Sequence, residues 1–186
     1  MLTPMAPNLN DILVVDVEST CWDSHPPTGQ VSEIIEIGIC VLNTREGRIY
    51  DKRSILVNPL QSRISDFCTE LTTITPQMAA TGLTLDEAFE TLQTQYLSHS
   101  RLWCSWGDYD RIMFETEAKR KYLEYPFGKS HLNVKTLFGL MKGRSKGPGM
   151  AKALQQIGLE LEGTHHRGHD DAHNIARILR HLLRNQ

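Results

Sequence analysis

Little in this chain would tie it to a membrane, a disulfide framework or a structural zinc. No apolar run approaches the ~20 residues a helix needs to cross a bilayer. Residues 1–10 carry no basic segment followed by an apolar one, so no secretory leader is read there. Only four cysteines occur in 186 residues, Cys21, Cys40, Cys68 and Cys104, and none form a Cys-x-x-Cys pair. That spacing argues against a zinc knuckle or disulfide scaffold and points to free thiols in a reducing compartment. A cytoplasmic protein with no membrane partner is expected. Internal repeats, low-complexity tracts and dividing linkers are also lacking. With 40% hydrophobic residues, one domain is expected over 1–186, its core at about 11–183.

Strong net charge is missing too: the formal value is −2. Its distribution says more. From Lys119 to Lys152 the basic residues are Lys119, Arg120, Lys121, Lys129, Lys135, Lys142, Arg144, Lys146 and Lys152, against Glu124 alone. Such a stretch is either a patch that steers a polyanion or a solvated loop with scattered lysines.

The hydrophobic pattern predicts an α/β fold. Ile12–Val15 is a continuous apolar run suited to a strand buried on both faces. Ile34–Leu42 and Arg48–Val57 read as two further strands, and the short links predict an opening meander. Helical patterning begins near Ser65. Thr84-Leu85-Asp86-Glu87 has the form of a capping box at the head of a helix running toward Leu97. Strands are expected over Arg101–Ser105 and His131–Val134. Helices are expected over 108–122, 135–141, 150–157 and 170–183, with a basic loop at 143–149. The sum is a mixed sheet flanked by helices.

A few acidic residues stand out from this frame. Asp16 and Glu18 are two apart on a strand and so share one face. Adjacent carboxylates repel unless a cation lies between them, and hard divalent ions are held by such groups. Solvation at a strand end is the plainer alternative. Asp110 shares a helical face with Met113 and Phe114, whereas Asp108 falls off it and is explained by capping. Asp171 shares a face with Ile175, Ile178 and Leu182. Asp170 aligns instead with Asn174, Arg177 and His181, as a capping or dipole carboxylate on a polar face. His166, five residues before Asp171, is either plain surface or a base of near-neutral pKa. His165, His166, His169 and His173 also have spacings open to a transition metal, although His169 and His173 are expected to face solvent.

In order, Asp16-x-Glu18-x-Thr20, Asp110 and His166-x4-Asp171 resemble the DEDDh 3′–5′ exonuclease superfamily, which has an RNase H-like fold. Asp16-Val17-Glu18-Ser19-Thr20-Cys21-Trp22, Glu33-Ile34-Ile35-Glu36-Ile37-Gly38 and the run from Gly168 to Arg177 are similar to its Eri-type branch. That branch includes RNA-trimming exonucleases and bacterial relatives of the KinA-pathway-inhibitor type. The resemblance spans roughly 11–180. It implies an antiparallel meander followed by parallel strands. It also implies that Asp16, Glu18, Asp110 and Asp171 hold two divalent cations, Mg²⁺ or Mn²⁺, ~3.5–4 Å apart around the terminal phosphodiester. His166 would take a proton from the attacking water, and 5′-mononucleotides would leave from single-stranded or overhanging 3′ ends. RNA is somewhat favoured over DNA as the partner.

Trp22 is an expected stacking contact for the terminal base, unless it is a half-buried core aromatic. Thr20, Cys21, Leu71 and Thr72 are expected near it, with Lys142, Arg144 and Lys146 along the strand. Glu36 either orders the site or makes an edge ion pair. Thr73 replaces the glycine often found in the Leu-Thr-Gly-Ile segment of relatives. A partner protein for targeting is possible. The rival class is a non-catalytic nucleic-acid-binding or regulatory interaction protein that keeps the fold.

Overall fold

The structure is a computed structural model that describes residues 8–184. Residues 1–7 and 185–186, including most of the stretch read above for a leader, lie outside the described residues. Three strands open the chain: β1 (Asn8–Ser19), β2 (Ile34–Asn43) and β3 (Ile49–Leu56). They pair antiparallel as the expected meander. β4 (Arg101–Ser105) then runs parallel to β1, and β5 (His131–Asn133) parallel to β4. The resulting order is β3-β2-β1-β4-β5, which places β1 in the middle.

That central position explains the apolar run. Side chains alternate across a strand, so β1 feeds two cores. Leu13, Val15 and Val17 pack with Phe89, Trp103 and Phe114, under α3 (Leu85–Gln95) and α4 (Tyr109–Lys121). Ile12 and Val14 pack on the opposite face, under α5 (Val134–Met141), α6 (Met150–Gln156) and α7 (Gly168–Arg184). The short helices α1 (Asp66–Thr72) and α2 (Pro76–Ala80) cover a third, smaller cluster around Ile35, Cys68 and Ile74.

Local chemistry sets the boundaries. The Thr84 capping box forms with Glu87 at the head of α3. Asn133 accepts from the Thr136 amide at 2.9 Å, so β5 ends there and Val134 opens a helix instead of closing a strand. Asp108 occupies the residue before α4 but makes no capping bond. Its carboxylate accepts from Asn133 Nδ2 at 3.0 Å, tying α4 to β5.

The largest departure concerns α7. Its expected polar face is covered: Asp170, Asn174 and Arg177 are all buried. The segment leading into the helix folds back over it. Glu162 donates its amide to Asn174 Oδ1, Thr164 donates to Asp170 Oδ2, and Arg177 reaches Glu160 O. Asp170 also pairs with Lys52. A polar stripe on a helix can thus mark a buried face when backbone groups of a neighbouring loop supply the partners.

Two glycines let α7 approach the sheet. A Cβ on Gly38 would lie 1.8 Å from the carbonyl carbon of Gly168. A Cβ on Gly168 would in turn lie 3.0 Å from both Asp16 O and Gly38 N. The N-terminus of α7 therefore meets β1 and β2 backbone to backbone beside Asp16.

Candidate active site

The strand spacing brings Asp16 and Glu18 out on the α7 face near the C-terminal end of β1. The pairing register shifts between Glu18 and Ser19. The close approach at Gly168 sets Asp171, one turn into α7, over the pair. Carboxylate oxygens from Asp16, Glu18 and Asp171 all lie within 4.8 Å of one another. Asp110 arrives from the first turn of α4. It is buried and accepts from the Val17 amide at 2.9 Å, the residue between the two β1 acids. With Trp106, Tyr109, Met150, His165 and His166, these four acids line a cavity of 320 Å³.

The electrostatics are those of a cluster short of positive charge. Burial first, then the charges of Asp110, Glu18, Asp171 and Glu36, hold the Asp16 carboxyl well above its usual range. Burial and the neighbouring Asp171 push Glu18 up to about 8. Burial raises Asp110 to about 6, although hydrogen bonds from Val17 and Ser105 oppose it. Asp171 is raised by burial against the pull of His165 and the His166 amide. Four inward carboxylates of this kind, with no lysine or arginine among the cavity walls, suit hard divalent cations, which take oxygen ligands and supply the missing charge. Among the described residues the donor set therefore fits the ions that the sequence implies.

Two histidines stand at the rim. His165 Nδ1 lies 2.9 Å from Asp171 Oδ2, and the His166 amide donates to the same oxygen at 3.0 Å. Their rings stack with centroids 4.0 Å apart. His166 takes φ +64°, an uncommon backbone state that turns its ring into the cavity rim. Burial and then His165 lower its pKa, which favours the neutral, proton-accepting form. The His-x4-Asp resemblance singled out His166, yet His165 is as close to Asp171. His169 and His173 do not face open solvent as expected. His169 Nδ1 meets Glu36 at 3.0 Å and His173 Nε2 meets Glu162 at 3.2 Å, so neither joins the cavity.

Glu36 settles between its two readings. It lies on β2, an interior strand, and is fully buried. It accepts from the Gly168 amide at 2.9 Å, from Arg167 Nε at 3.2 Å and Nη2 at 3.3 Å, and contacts His169. Arg167 and the start of α7 are thereby locked immediately after His166. This is an internal anchor and not an edge pair.

Several expected substrate contacts stand elsewhere. Thr20 is buried and holds the 20–33 turn, donating to Val31 O and accepting from the Glu33 amide. Thr72 is buried and bonded to Cys68 O. Cys21 packs against the Cys68 cluster. Trp22, Leu71, Lys142, Arg144 and Lys146 are likewise absent from the cavity wall. The basic loop does reach the cavity through Gly149, and Trp106 Nε1 donates to Pro148 O at 3.2 Å. Arg120 and Lys121 leave the basic patch altogether: both pair with the buried Glu33 and Glu117. The aromatic walls are Trp106 and Tyr109, whose hydroxyl lies 2.7 Å from Ser19 Oγ. Sequence reading missed both, although their place directly after β4 and beside Asp110 was the available signal.

Comparison with known proteins gives a consistent picture. A family model described as an exonuclease matches residues 13–179. The mouse "ERI1 exoribonuclease 2" is 31% identical over 93% of this chain and 28% of its own length. The human "3′-5′ exoribonuclease 1" is 30% identical over 92% of this chain and 52% of its own. This chain thus spans about a quarter to a half of the length of these relatives. Among solved structures, the nuclease domain of 3′hExo, a DEDDh family member bound to rAMP, superposes with a TM-score of 0.85. It shares 27% identity over 97% of this chain and 95% of that domain.

Proposed function

Because the chain belongs to the exonuclease family, we propose that it removes 5′-mononucleotides one at a time from the 3′ end of single-stranded nucleic acid, RNA ahead of DNA. One observation carries this reading. The three carboxylates of Asp16, Glu18 and Asp171 converge within 4.8 Å in a cavity that also holds Asp110 and two histidines. The names of the similar relatives support RNA as the preferred polymer.

In this reading Asp16, Glu18, Asp110 and Asp171 hold two divalent ions, Mg²⁺ or Mn²⁺. When bound, such ions lower the pKa of a water and offset charge on the departing 3′ oxygen. His166 accepts the proton of the attacking water, and its lowered pKa keeps it ready to do so near neutrality. His165 orients the Asp171 carboxylate. Trp106 and Tyr109 flank the terminal base, where a stacked ring is worth ~1–3 kcal/mol. Asp110, fixed by the Val17 amide, keeps α4 and β1 in one geometry.

Purified protein would be incubated with 5′- and 3′-labelled RNA and DNA in Mg²⁺, Mn²⁺ or EDTA. The expected result is a descending ladder from the 5′ label, mononucleotide from the 3′ label, and silence in EDTA. Internal cuts, or no cleavage with either ion, would reject the proposal.

A further inference from the structure

A second and larger cavity, 490 Å³, opens on the other side of α4 from the acidic cluster. Its walls combine the partly buried rings of Tyr125 and His131 with Phe127, and it is also lined by Arg111, Lys119 and Lys129. The aromatic lining is continuous with the core: Trp103 stacks on Phe127 at 4.2 Å and meets His131 at 4.3 Å. Burial lowers His131 to about 4, so its ring is neutral at physiological pH. The one acid on the wall, Glu115, is held by Arg111 at 2.9 Å. Among the described residues neither Lys119 nor Lys129 has an ion-pair partner, so the rim carries free positive charge.

We propose that this groove is an upstream subsite for the single strand whose 3′ end lies in the acidic cavity, holding a base against Tyr125 and His131 and its phosphates on Lys119 and Lys129. The inference rests on the exonuclease reading and names where the rest of the substrate goes. Neutral flat rings beside free cations match what a single strand presents, a π-face and a phosphate for every nucleotide. Continuity with the active site is physical. Arg111 on the groove wall follows Asp110 directly, and Lys119 lies about 12 Å further along the same helix at 1.5 Å per residue. His131 Nε2 also lies 3.0 Å from Ser105 Oγ, the hydroxyl that hydrogen-bonds Asp110. A protein partner would fit the lining less well, because the rim offers charge of one sign only.

The test uses Tyr125→Ala with Lys129→Ala. Hydrolysis of a dinucleotide should stay within about twofold of wild type. Affinity for a long oligonucleotide should fall by about tenfold or more, as expected for losing one stacked base. In the wild type, 4-thiouridine placed several nucleotides from the 3′ end should crosslink under ultraviolet light to the tryptic peptide Tyr122–Lys129. Unchanged affinity for the long strand, or crosslinks only elsewhere, would overturn the subsite. So would an equal loss on the dinucleotide, or binding of free mononucleotide in the groove with no effect of strand length. Failure of the wild type to shorten any 3′ end would instead strike the exonuclease reading, whereas the crosslink reads the subsite separately.

Discussion

Glu18 sits close to the limit of what a carboxylate tolerates without a cation. Its folded pKa of about 8 exceeds the usual 4.5, so the folded protein binds the proton more tightly than the unfolded chain. This group's contribution is therefore fully present below about pH 4.5 and is lost as pH rises through about 8. The cation-free protein should lose thermal stability across that window, and added Mn²⁺ should restore more at pH 8 than at pH 5. Calorimetry in EDTA and in Mn²⁺ checks both; a metal-induced shift independent of pH would contradict it. The two rim histidines separate by readout. His166→Ala should lower turnover by ~10²–10⁴-fold with metal affinity kept. His165→Ala should weaken metal affinity by about 10–100-fold, as for partners that orient a ligand. Titration calorimetry and single-turnover kinetics distinguish the two. The four acids could be placed from the sequence because parity and helical spacing decide which way a side chain points, whereas His166 came from the His-x4-Asp resemblance. His165 could not be placed, since a loop has no period and its direction depends on the φ +64° at the following residue.

Strand and helix positions follow from patterns of a few residues, and the sequence reading came within one or two residues for most of them. What it could not see were contacts between elements distant along the chain. Glu36 is the clearest case: its partners Arg167, Gly168 and His169 stand at the head of α7. Glu36→Gln should cost about 1.5–3 kcal/mol, the range for a hydrogen bond to a charged group. It should also lower kcat more than it raises KM, because it loosens the segment carrying His166. A loss of stability with kcat intact would show that the anchor serves the fold alone. Thr73 gives the opposite expectation. It caps α1 at φ +62°, a conformation that costs a side-chain-bearing residue ~1–2 kcal/mol and glycine almost nothing. Thr73→Gly should raise the midpoint of thermal unfolding, provided the 3.4 Å contact of its hydroxyl with Arg167 contributes little. A lower midpoint would mean that this contact outweighs the strain.

Over the whole molecule, charge is sorted in a way that composition cannot reveal. Arg120 and Lys121 neutralise two buried glutamates, whereas Lys142, Arg144 and Lys146 stay exposed on a loop that ends at the acidic cavity. Replacing these three with glutamine should flatten the dependence of long-strand affinity on salt, because fewer counterions are released. Fluorescence anisotropy across a salt series reads that slope, and an unchanged slope would make the loop merely solvated.

The site also has a history written in chain order. Asp16 and Glu18 emerge early in synthesis, but Asp171 and His166 come with the last helix, which packs on β1, β2 and β3. A contact of such long sequence separation closes late. A growing chain still on the ribosome, and still tethered to the message that encodes it, therefore lacks two of the five residues proposed for catalysis. On the proposed function, the molecule is born unable to cut and can act on a 3′ end only once α7 has left the exit tunnel and met Gly38 on β2.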